Sequence, residues 1–225
     1  MNYRVYDKNE NKTKNDYFLE MLSQVLDWGL RPGFVTGDSW YSCDKNLKTV
    51  KNHQIGLMFA IEANRTVSVE KGVWVQVQKL DVPDQGMMVW LRNFGQVKLF
   101  RTRLKDQLRH YVMHLPKSED YDSFGSQQFQ TVHDQHWKIE QYHRLIKQVC
   151  NIERFQVRGA RLIRNHVFAS LCSFIHLQKM QLSQLIVNAY QWQRGLFTGV
   201  LAQFIEQFSA DNQYLNPQFS SVVNA

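Results

Sequence analysis

One stretch of the chain limits its fold more than any other: the run IGLMFAIEA at residues 55–63. A strand with one face in water alternates polar and apolar residues. This run is continuously apolar and bounded by polar residues, so it is expected to be covered on both faces. Upstream, FVTGDSW at residues 34–40 reads as a second short apolar strand that ends at an acid. Between them, CDKNLKTVKNHQ puts Leu47 and Val50 on one face and reads as a helix. In YFLEMLSQVLDWGL, Phe18, Met21, Leu22, Val25, Leu26 and Trp28 recur at helical spacing. Thr13 or Asn15 is placed to cap that helix, and RPG breaks it. NYRVYD at residues 2–7 reads as a further short strand. The order strand, helix, strand, helix, strand predicts a parallel α/β unit with right-handed crossovers.

The pattern changes after residue 65. TVSVEKGVWVQVQKLDVP and the stretch from Gly86 to Pro116 alternate polar and apolar, with turns near DQG, NFG and KDQ. This predicts an antiparallel β segment inserted ahead of a long helix. The helix is VHDQHWKIEQYHRLIKQVCN, residues 132–151. Residues 160 to about 209 read as more helix. The tail NPQFSSVVNA reads as loose.

Composition narrows the function. With 225 residues, 44% of them hydrophobic, the chain is able to bury a real core. A formal net charge of +7 favours an anionic partner, and nucleic acid is the commonest for a soluble basic chain. Cys43, Cys150 and Cys172 are odd in number and lack CxxC spacing, which argues against a disulfide framework and against a thiolate zinc site. The N-terminus has no apolar segment of a secretory signal, and HVFASLCSFIHL is too short to span a bilayer. A cytoplasmic protein without a membrane partner is expected.

Two acids carry the chemistry. Asp38 ends the FVTGD strand, at the sheet edge where parallel α/β units bind ligands. A turn or helix cap is the equal alternative for this position. On a helical wheel, His133, His136, Glu140, His143, Arg144 and Lys147 fall within an arc of about 100°. Tyr142, Leu145, Ile146 and Val149 lie opposite. A solvated face normally mixes charges, whereas here Glu140 is the only acid among five potential cations. Mg²⁺ takes one or two carboxylates plus phosphate oxygens. Asp38 and Glu140 could share such an ion, with Lys147 and Arg144 holding neighbouring phosphates. A zinc site built from His133, His136 and His143 is the competing idea, but their spacing does not converge like the i, i+4 pair of a helical zinc site.

At these residues the chain resembles the DDE transposases of bacterial insertion sequences. VTGDSWYS, followed about a hundred residues later by HWKIEQYHRLIKQ with β segments between, carries the likeness. The resemblance implies an α/β fold: an incomplete RNase H-like core from residues 1–65 and 121–155, an antiparallel β-rich insertion over 66–120 and a C-terminal helical segment over 156–225. It implies that Asp38 and Glu140 are the second and third catalytic acids and bind Mg²⁺ or Mn²⁺. Lys147, seven residues after Glu140, is implied to contact phosphate near the cut end. His133 and His136 stand where the family often has tyrosine and arginine, and by that correspondence they are candidates for contact with DNA phosphate. Trp74 and Trp90 are candidates, by type and region, for an aromatic that stacks on a base at the transposon end; packing within the β segment is the alternative for each. The implied partners are DNA at transposon ends and a second copy in a synaptic complex. The chain's first strand looks like the third of such a core, so the first catalytic acid is expected to be missing. The expectation is a truncated copy, inactive alone, or a non-catalytic DNA-binding remnant or regulator of a full-length relative.

Overall fold

A computed structural model describes residues 3–70, 72–104, 106–117 and 120–215, without the side chains of Lys8 and 208–215. The expected loose tail lies outside the described residues. The chain divides into two compact units, Met1–Glu140 and Gln141–Ala225.

The first unit is built on a seven-stranded sheet. In chain order its strands are β1 Phe34–Gly37, β2 Gly56–Ile61, β3 Thr66–Ser68, β4 Trp74–Gln76, β5 Met87–Leu91, β6 Gly95–Leu104 and β7 Gln107–His114. Their order across the sheet is β1-β2-β7-β6-β5-β3-β4. Among the described residues only β1 and β2 pair in parallel, joined by helix α2 (Asp44–Asn52), and the other pairings are antiparallel. β7 pairs with both β2 and β6, so the alternating segment continues the sheet that the apolar strands begin.

The continuous apolar character of β2 has a direct cause. Leu57 and Phe59 enter one cluster with Leu22 of helix α1 (Lys14–Asp27) and with Leu47 and Val50 of α2. Met58 enters another, with Phe100, Tyr111, Met113 and Phe129. Phe129 belongs to helix α4 (Ser126–Gln148), which follows the one-turn α3 (Asp120–Ser123). Its ring stacks on Phe100 at 4.4 Å. Successive β2 residues point to opposite faces, so both faces must be apolar.

Thr13 caps α1 through a complete capping box with Asp16. Its hydroxyl and amide are the main cause of the Asp16 carboxyl lying at about 2. Asn15 instead accepts a 2.7 Å hydrogen bond from Asn46, tying α1 to α2.

The expected strand at NYRVYD does not form: residues 3–7 have no regular structure. A strand needs a ladder partner, and these side chains pair along α1 instead. Tyr6 meets Tyr17 edge-on and Arg4 reaches Glu20 and Gln24.

The second unit is helical. The end of α4, α5 (Ala160–Leu182) and α6 (Ala189–Leu215) bring together Leu145, Val149, Leu177, Ile186 and Ala189.

Candidate functional site

Asp38 follows the last residue of β1, and the local sequence explains its position. Gly37 pairs with Phe59, and a Cβ at Gly37 would lie 2.6 Å from the Phe59 ring. Glycine here leaves room for the Phe59 ring to lie over β1 just before the chain turns. Asp38 begins the short 3-10 turn Ser39–Tyr41, but its side chain makes no capping hydrogen bond. The carboxylate is therefore not used as a cap, and its side chain is 67% exposed.

A cleft of about 570 Å³ in the first unit opens beside Asp38, and Glu140 lines it as well. The two acids singled out by sequence, about a hundred residues apart, thus share one concavity. A third carboxylate, Glu62, lines the same cleft just past the end of β2 and accepts a 2.5 Å hydrogen bond from Ser39. Arg103 and Arg109, on the β6–β7 hairpin, add positive charge to it. Sequence reasoning missed Glu62, Arg103 and Arg109. The arginines' signal was a cationic hairpin, RTRLKDQLRH, inside an otherwise alternating stretch.

His133 and His136 also line the cleft, but from a buried direction. The wheel placed them on an exposed polar stripe. In the structure, α4 buries Phe129 and His136 in its first half and Leu145, Ile146 and Val149 in its second. These are different faces of one helix. His136 is 8% exposed; its Nδ1 lies 3.1 Å from Thr36 Oγ1, and its Nε2 lies 3.7 Å from Asp38 Oδ1. His133 packs on Tyr111 and Phe129; its buried Nδ1 has no hydrogen-bond partner among the described residues, and Asp134 Oδ1 lies 4.0 Å from it. Burial pushes its pKa down, His136 and Arg109 add to that, and Asp134 opposes it. His110, also in the cleft wall, is lowered by burial and then by Arg101. His133 and His110 in the cleft wall are therefore held toward the neutral form.

The other expected residues lie elsewhere. Lys147 and Arg144 are in the second unit, where Lys147 pairs with Glu153 at 2.7 Å. Arg144 lines a separate cavity of about 280 Å³ with Gln181 and Asn188. Trp74 and Trp90 both pair with Ser68, one from each side, so they share one face at the end of the sheet remote from β1. They are 38% and 41% exposed, and the Arg92 guanidinium lies 5.0 Å from the Trp74 ring centre.

Carboxylate oxygens are the donors that a hard divalent cation takes, and one or two of them suffice for Mg²⁺ beside phosphate. Asp38 and Glu140 fit that ion in chemistry. Among the described residues, no three of His, Cys, Asp and Glu gather closely enough to hold a metal, so the trio of histidines forms no zinc site. No described helix is long and apolar enough to cross a membrane.

No curated protein matches the chain. The family described as Transposase DDE domain matches residues 1–175, a span that includes Asp38, Glu140 and Lys147. With most of the 225 residues matched, the chain belongs to the DDE transposase family, and membership implies that its substrate is DNA.

Proposed function

We propose that the protein acts in DNA transposition by metal-dependent phosphodiester cleavage and strand transfer at transposon ends. The observation that carries this reading is that Asp38 and Glu140 line one cleft. Both acids act as ligands of Mg²⁺ or Mn²⁺ within an RNase H-like core formed by residues 1–65 and 121–155, which carries the β-rich segment 66–120. When bound, the ion stabilises charge on the phosphate oxygens. Arg103 and Arg109 neutralise phosphates along the cleft, and Lys147 and Arg144 are further phosphate contacts. Trp74 and Trp90 offer flat faces to an unpaired base. The working assembly is a pair of protomers holding two ends, acting in the cytoplasm.

The test is nicking of a duplex taken from the DNA that flanks the gene, with Mg²⁺ or Mn²⁺. Asp38→Asn and Glu140→Gln should each lower the rate at least about 100-fold. Duplex affinity in metal-free buffer should stay nearly constant. Full nicking by either variant rules the assignment out.

A second reading keeps DNA binding without cleavage. It rests on the formal net charge of +7 and on Arg103 and Arg109 in the cleft, which serve duplex binding whether or not a metal is held. Salt-dependent duplex binding by the unaltered chain, with no nicking in either metal, selects it.

A further inference from the structure

His136 stands where the family resemblance suggests a phosphate contact, yet it does not face solvent. Its side chain is 10% exposed, against 67% for Asp38. Both ring nitrogens are directed at β1 and the residue that follows it: Nδ1 at Thr36 Oγ1, 3.1 Å away, and Nε2 at Asp38 Oδ1, 3.7 Å away. Thr36 and Asp38 are two residues apart in extended chain, so their side chains lie on one face, and one imidazole spans both. Glu140 lies one helical turn beyond His136 on α4.

We propose that His136 is a positioning residue, which orients the Asp38 carboxylate and is itself fixed by the Thr36 hydroxyl. The arrangement proposed is the Nε2–H tautomer, which turns a proton toward the carboxylate, a group that only accepts when ionised. A neutral imidazole then has its lone pair on Nδ1, and the Thr36 hydroxyl donates to it. At 3.7 Å the Nε2–Asp38 link is electrostatic and longer than a hydrogen bond. The oxygen nearest Nε2 is Oδ1, on a side chain that lines the cleft. Groups behind a metal ligand commonly fix its orientation in this way. The inference rests on the reading of Asp38 as a metal ligand.

Two measurements on the full chain test it. The first is nitrogen NMR of the protein labelled at its histidines, metal-free, in mildly alkaline buffer. The His136 ring should show the Nε2–H tautomer, and Thr36→Val, which keeps the side-chain shape, should shift or mix that signal. An Nδ1–H tautomer, or a signal indifferent to Thr36→Val, overturns the relay. The second compares His136→Gln with His136→Ala. Glutamine keeps an amide donor near the Nε2 position. Mn²⁺ affinity should fall about 10- to 100-fold in the alanine variant and recover in part with glutamine. The salt slope of duplex binding should not change in either. A slope reduced by about 0.9 in the glutamine variant marks a phosphate contact instead and overturns the proposal. Mn²⁺ affinity unchanged in Asp38→Asn overturns the metal-ligand reading itself, while the tautomer still decides the relay.

Discussion

In the unit Met1–Glu140, Leu57, Met58, Phe59, Leu99 and Val112 are fully withdrawn from solvent. In Gln141–Ala225, the clustered Leu145, Val149, Leu177 and Ile186 keep 8, 8, 5 and 9% of their surface, and α6 exposes Leu196, Phe197, Val200, Leu201, Phe204 and Ile205. The difference follows from the elements available. A sheet sandwiched between helices covers both faces of its central strands. Helices packed only on one another cover one stripe each and leave the rest outside. The first unit is thus expected to carry most of the stability and to unfold at a higher denaturant concentration than the second.

The largest effect that sharpens this contrast is Phe59→Ala. Phe59 is fully buried and packs edge-on against Phe18. Its loss should cost about 3–5 kcal/mol in denaturant unfolding of the first unit. A cost below about 1 kcal/mol would show that this core collapses easily and that the two units differ less than burial indicates.

Acid should act on the same unit. Tyr121 Oη accepts from the Leu115 amide and lies 2.9 Å from Nδ1 of His114, a half-buried imidazole. Burial, then Lys51, hold its pKa down at about 4 against 6.5 in the unfolded chain. The unfolded state therefore binds more protons between these values, and stability falls as pH drops from about 6.5 to about 4, by about 3 kcal/mol. His114→Gln should flatten that slope in pH-dependent unfolding; an unchanged slope assigns it to another group.

In the second unit, Leu177→Ala should cost about 2 kcal/mol, at the low end for a core leucine, because its neighbours can close the gap. A loss equal to that of Phe59→Ala would remove the contrast. Smallest is Thr13→Ala, which deletes the α1 cap and should cost about 1 kcal/mol, read as a small shift in the first unit's midpoint.

Part of this was legible from local pattern. α1 and α2 form where apolar spacing predicts them, and β1 and β2 where short apolar runs do. Asp38 and Glu140 stood out because one ends a strand and the other interrupts a cationic face. The strand predicted at NYRVYD failed because Tyr and Val alternation is silent about whether a partner exists. The two halves of α4 were not separable by a wheel, since one periodicity was assumed along the whole helix. Glu62, Arg103 and Arg109 carried no motif of their own.

The sequence by itself determined most of the elements and the need to cover β2 on both faces, and it singled out two distant acids and a cationic helix face. These depend on side-chain spacing and chemistry within short windows. Tertiary structure alone decided that β7 adds to β2, that Glu62, Arg103 and Arg109 reach the cleft of Asp38, and that His136 turns inward to Thr36. Each depends on contacts between residues far apart in the chain, such as the hundred positions between Thr36 and His136. Such contacts are chosen by how whole layers pack, and no short window encodes that choice.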